Sequence, residues 1–222
     1  VGGTVDWEFA ATLGAKLTRQ APVTTDYTRD QAISQLAELA RRAELPVREV
    51  THLNEGADIA EARVVDRPEW VRAATVSMKS MTGGSGDAPA GFLASKVTGA
   101  QTGAVLAFIS SGILGQYDPF GVPGGELLLV YPNVIAVERQ LRVDPTDFRF
   151  WVCLHDVTHR VQFRANPWLA EHMSSALAVL TNDAGDQVSE IASRLAEYVR
   201  AQRKGDADEP NSAGVVGLLR AM

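Results

Sequence analysis

The chain has 222 residues, 45% of them hydrophobic, which is enough for one well-buried core and short for two. A formal net charge of -6 and a pI near 5.2 argue against a nucleic-acid or anionic-membrane surface, because phosphate binding needs clustered Lys and Arg. Cys153 is the single cysteine, so an intrachain disulfide and a cysteine-rich zinc ribbon are excluded, and a reducing, cytoplasmic setting is expected.

The chain opens on Val1 with no secretory-signal pattern, and a single domain is expected across 1–222. Asp6 precedes a helical stretch to about Leu17, with Trp7, Ala10, Ala11 and Leu13 near one face. Thr28 and Gln31 have capping-box spacing ahead of "AISQLAELARRAE", whose Ile33, Leu36, Leu39 and Ala43 keep helical spacing until Pro46, where the run should end. Asp66 with Glu69, and Pro68 in the first turn, start a helix that carries Trp70, Val71 and Ala74.

In "GAQTGAVLAFISSGILG", residues 99–115, small residues recur at Gly99, Gly103, Ala107, Ser111 and Gly115. Such a face lets another helix approach closely, whereas a membrane span takes roughly 20 apolar residues, so a buried helix is expected. The turn-rich "GQYDPFGVPGG", residues 115–125, reads as a loop. The unbroken apolar run from Leu127 to Tyr131, stopped by Pro132 and Asn133, suits a short buried strand. The expected fold class is therefore mainly α, with a short strand element before the helix that follows.

That helix has a well-marked start. Asp144 can cap it, Pro145 suits its first position, and Asp147 complements the dipole of the first turn. It should run to about Ala165, where Asn166 and Pro167 stop it and lead into "WLAEHMSSALAVL". A further amphipathic helix is expected around Val188, Ile191, Leu195 and Val199, followed by a mobile linker over 203–212.

Within the 145–165 helix lies "CLHDVTHRVQF", residues 153–163. Residues four apart sit about 40° from each other around a helix, so His155 and His159 project from one face, one turn apart. Two neutral imidazoles so placed can grip one zinc ion, while an acid after the first histidine can act on water as general base. Here that acid is Asp156, and Gln162 continues the face by a further turn. Spacing alone is equally well served by two histidines on a solvated helix face. Cys153 is about 200° from His155 and should be a packed core thiol. Phe148 and Trp151, ahead of the histidines at helical spacing, are expected to pack in the core.

The segments "VDWEFA", "VREVTHL", "DRPEWVRA", "GILGQYDPF", "LLLVYPNVIAVERQL" and above all "VDPTDFRFWVCLHDVTHRVQFRANPWLAEH" resemble the zincin-like metallopeptidase type 2 family. Its members include actinobacterial proteins often described as hydrolases or associated with deazaflavin-coenzyme biosynthesis. The resemblance implies a helical zincin-like domain, His155 and His159 as zinc ligands, Asp156 at the position of the catalytic glutamate, and a peptide or protein substrate. It also implies that family members run on past the position of Met222 into a further helical segment, a natural source of another ligand.

Two departures from the family pattern follow. Asp156 is one methylene shorter than glutamate, and a misplacement of about 1 Å can cost roughly 100-fold in rate. A catalytic zinc takes three protein ligands, so a third must be found: His172 beyond the Asn166–Pro167 break, Glu171 and Glu190 as weaker candidates, or a residue beyond Met222. His52, near an expected turn, has no specific reason to reach the site. The expected activity is zinc-dependent hydrolysis of a peptide or amide bond. The alternative is a catalytically degenerate zincin that serves as an interaction or structural module.

Overall fold

The computed structural model describes residues 5–53, 57–82 and 92–177, and the elements below belong to one compact unit, Gly2–Ala176. Helices α1 (Trp7–Leu17) and α2 (Asp26–Thr51) come first, then strand β1 (Ala62–Val65), α3 (Arg67–Met81) and α4 (Phe92–Ile109). Strands β2 (Gly115–Asp118) and β3 (Glu126–Val130) follow, then α5 (Tyr131–Leu141) and α6 (Pro145–Ala165). A further helix begins at Trp168. The fold is mainly helical around a small sheet.

The sheet has the order β1-β3-β2, with β1 parallel to β3 and β2 antiparallel to it. Ala62 pairs with Leu127 and Val65 with Val130 on one side of β3, and Gly115 pairs with Leu129 on the other. Alternate β3 side chains enter different cores. Leu127 and Leu129 join Leu36, Ala40, Ala43, Val152 and Val157 of α2 and α6, whereas Leu128 and Val130 join Trp70, Val71, Ala74 and Leu106 of α3 and α4. Helices cover both faces, so the strand needs no polar face, and the run "LLLV" is unbroken for that reason. The strand ends one residue earlier than its apolar run. Tyr131 opens α5 and Pro132 occupies its first turn, where a missing N–H costs nothing.

The expected close approach of small residues occurs between α1 and α4. A Cβ on Gly103 would sit 2.5 Å from the Ala10 carbonyl oxygen, and one on Gly99 would sit 2.6 Å from that of Asp6. The small-residue face ends with the helix, and Gly115 belongs to β2. No helix among the described residues is long and apolar enough to cross a membrane.

Side-chain caps mark the starts of α1, α2, α3 and α6. Asp6 accepts from the Phe9 N–H at 2.9 Å, and Asp66 and Glu69 complete both halves of a capping box. Two expectations for α2 are corrected. Its cap is Thr25, whose hydroxyl accepts from the Thr28 N–H at 3.1 Å, so Thr28 already lies inside the helix. Pro46 does not end it. The helix continues to Thr51 because the residues after the proline are held by burial: Val47 is in the core, and Arg48 bonds Glu44 across the proline at 2.7 Å. A proline inside a helix costs about 3 kcal/mol, which these buried contacts offset. The helix stops at His52, in the left-handed region at φ 55°.

Helix α6 is pinned to α2 by buried charge. Glu44, 1% exposed, lies 2.5 Å from the Arg160 guanidinium, itself 2% exposed, and also pairs with Arg48. Arg160 donates to the Ala60 carbonyl at 2.8 Å, and Arg48 donates to the carbonyls of Ala57 and Asp58. The two arginines thus clamp 57–60, the strap leading into β1. Nearer the start of α6, Arg149 makes two hydrogen bonds to Glu138 of α5, at 3.0 and 2.7 Å.

Candidate functional site

Helix α6 starts where the sequence marks it, with Asp144 accepting from the N–H groups of Thr146 and Asp147 at 2.8 and 3.0 Å. It ends at Ala165. Its inner face is Val152, Cys153, Asp156, Val157, Arg160 and Val161, all buried. Its outer face carries Trp151, His155, His159 and Gln162, all exposed.

The structure brings His155 and His159 together. Their ring centroids are 4.9 Å apart and their planes meet at 89°. Two imidazoles sharing one tetrahedral zinc, with each nitrogen about 2.1 Å from the metal, have centroids about 5 Å apart, and the separation of these two rings matches that value. Both rings are exposed, and neither makes a hydrogen bond among the described residues.

Trp151 is not in the core as expected. It is 57% exposed, because it lies four residues before His155 and so shares the histidines' outer face, where it stacks on that ring at 5.9 Å. The spacing of 151, 155 and 159 was visible in the sequence; that this side faces outward was not. Phe148 is partly buried and packs against the core, as its position implied.

Asp156 faces the other way. It is 4% exposed, and its carboxyl lies against Gly115 of β2 and the Leu129 side chain beside it. A Cβ at Gly115 would collide with the Asp156 Oδ2, so the glycine is what makes room for the acid. No hydrogen bond reaches that carboxyl among the described residues. Burial disfavours its charged form and pushes its pKa up to about 7. The Gly115 contact is a part of the site that sequence reasoning missed, because Gly115 read there as the end of a small-residue helix face and the start of a turn-rich loop. Cys153 is fully buried, donates to the Leu36 carbonyl at 3.6 Å, and has its pKa pushed up to about 12 by burial, with the Asp156 charge adding to the effect.

The described candidates, His172, Glu171 and His52, do not form a metal-holding group with the pair. His172 packs edge-on against Trp168 at 6.0 Å on the following helix, and Glu171 is exposed there. His52 caps α2. Among the described residues no three or more His, Cys, Asp or Glu side chains converge in a group that could hold a metal. Glu190 and the linker at 203–212 lie outside the described residues.

The described unit is mainly helical and carries two histidines, four apart, on the outer face of a helix packed against a small sheet. The chain belongs to the zincin-like metallopeptidase family, which it matches over residues 5–212. Among solved structures it is similar to one from Chloroflexus aurantiacus described as a "putative hydrolase with a novel fold", at 30% identity and a TM-score of 0.59. The alignment covers 78% of this chain and 58% of that one, so the chain spans somewhat over half the length of that structure. No curated protein matches it.

Proposed function

We propose that the protein is a zinc-dependent hydrolase of peptide or amide bonds, with His155 and His159 as metal ligands and Asp156 as its proton-transferring acid. The observation that carries this reading is the pairing of two exposed imidazoles at 4.9 Å and 89°. Zinc is the usual metal of the family, and when bound it supplies Lewis-acid charge that polarises a carbonyl and acidifies water. The chain's own residues do the rest. His155 and His159 hold the ion in their neutral forms, on a surface that an extended peptide can reach. Asp156, the acid next to His155, is assigned the proton transfer from its place in the motif. Placement in the actinobacterial, deazaflavin-associated branch rests on the segments quoted above alone.

A specific observation favours a second reading. The Asp156 carboxyl packs against β2, away from the outer face that bears the imidazoles. That arrangement suits a catalytically degenerate zincin that keeps its helix as a scaffold for binding other proteins.

The experiment is zinc content per chain by elemental analysis on tag-free protein, beside His155→Ala and His159→Ala, followed by turnover of a broad peptide library with wild type and Asp156→Asn. Near-stoichiometric zinc lost in both histidine variants, with peptide turnover lowered at least about 100-fold in Asp156→Asn, is the expected result. Zinc without turnover in either protein would favour the scaffold. Wild-type protein that stays empty in added zinc would end the hydrolase reading.

A further inference from the structure

The outer face of α6 carries more than the histidine pair. Phe148, partly buried against the core shared by α2, α6 and β3, stacks with Trp151 at 6.1 Å between centroids and 21° between planes. Trp151 stacks on His155 at 5.9 Å and 15°, and His155 meets His159 edge-on. Four rings therefore form one ladder, anchored in the core at its Phe148 end.

We propose that Trp151 is a positioning residue for His155: its indole fixes the plane of the imidazole so that His155 and His159 present their nitrogens to one divalent cation. This rests on the reading of the pair as a metal site given above.

Three considerations carry the proposal. A metal-ligating histidine is ordinarily oriented by a hydrogen bond at its second ring nitrogen. His155 makes none among the described residues, and the terminal torsion of an exposed histidine is otherwise broad. The stack supplies the missing constraint. Second, the lone pairs of an imidazole lie in the ring plane. A partner tilted only 15° lies along the face of the ring and does not approach it through the edge that carries the nitrogens. Third, an indole that is 57% exposed is poorly placed as core filler. Its position is better accounted for by the imidazole it touches.

The test measures zinc affinity by competition with a chromophoric chelator, using the full, tag-free chain as wild type, Trp151→Ala, Trp151→Phe and His159→Ala. In parallel, the His155 ring-proton resonances are followed by NMR in metal-free protein, where the indole ring current displaces them. Trp151→Ala is expected to remove that displacement and weaken zinc binding about tenfold, with Trp151→Phe restoring most of both and thermal unfolding unchanged. Zinc affinity in Trp151→Ala equal to wild type would overturn the positioning role while leaving the metal site intact. Wild-type protein that binds no zinc, with its His155 resonances still displaced, would overturn the metal reading and the positioning role together.

Discussion

Gly115 and Asp156 occupy one another's space: the carboxyl of the acid fills the place where a Cβ on the glycine would stand. An alanine there must displace the acid or bend β2 at its pairing with Leu129. Gly115→Ala is expected to destabilise the protein by about 1–3 kcal/mol, the usual range for overpacking. The shift of the urea midpoint at unchanged m-value measures it, and a wild-type midpoint would show that the pocket yields freely.

Burial of Asp156 makes stability depend on pH. Its folded pKa is about 7 against an ordinary value of 3.8, so the folded state holds a proton that the unfolded state has released across that window. The contribution is fully present below the unfolded value, declines as pH rises, and is lost once pH passes about 7. Asp156→Asn removes the dependence. In chelator-treated protein its stability relative to wild type should rise by on the order of a few kcal/mol from pH 4 to pH 8. Denaturation curves that shift in parallel for the two proteins across that range would contradict the assignment.

Glu44 neutralises two arginines in the interior, Arg48 and Arg160. Its removal leaves buried positive charge without a partner, so Glu44→Ala should cost about 3–5 kcal/mol. Glu38→Ala provides the comparison, because its pair with Arg41 is exposed and worth less than about 1 kcal/mol. Chemical denaturation of the two variants should separate them clearly; equal losses would remove the case for a buried network.

Cys153 offers an independent probe of the α2–α6 core. Its thiol is fully buried and its pKa is pushed up to about 12, so it presents almost no thiolate at pH 8. A disulfide-exchange reagent should titrate no thiol in native protein and one per chain after unfolding. Prompt native reaction would mean that the core opens far more readily than its packing implies.

Local chemistry made much of the fold legible. The caps at Asp6, at Asp66 with Glu69, and at Asp144 with Pro145 act within one turn of the chain, so reading adjacent residues suffices to find them. The helix period alone places His155 beside His159, and the small residues at Gly99 and Gly103 announced a close helix contact before its partner was known. The misreadings were of features whose outcome depends on distant segments. Pro46 looks like a stop when only its neighbours are weighed, and it is carried through by Arg48 reaching 57–58 and by Val47 entering the core. Trp151 looks like core because it is large and apolar.

The sequence by itself determined that α6 exists, where it starts and stops, and that its histidines share a face, because those depend on spacing and capping within the helix. Only the tertiary structure decided which face of α6 turns outward. That choice belongs to α2, β2 and β3, which bury Val152, Cys153, Asp156 and Val157 and leave Trp151, His155 and His159 in the open. The same packing set the chemistry of the acid, since the pKa of Asp156 is governed by how much water the surrounding elements exclude from its carboxyl.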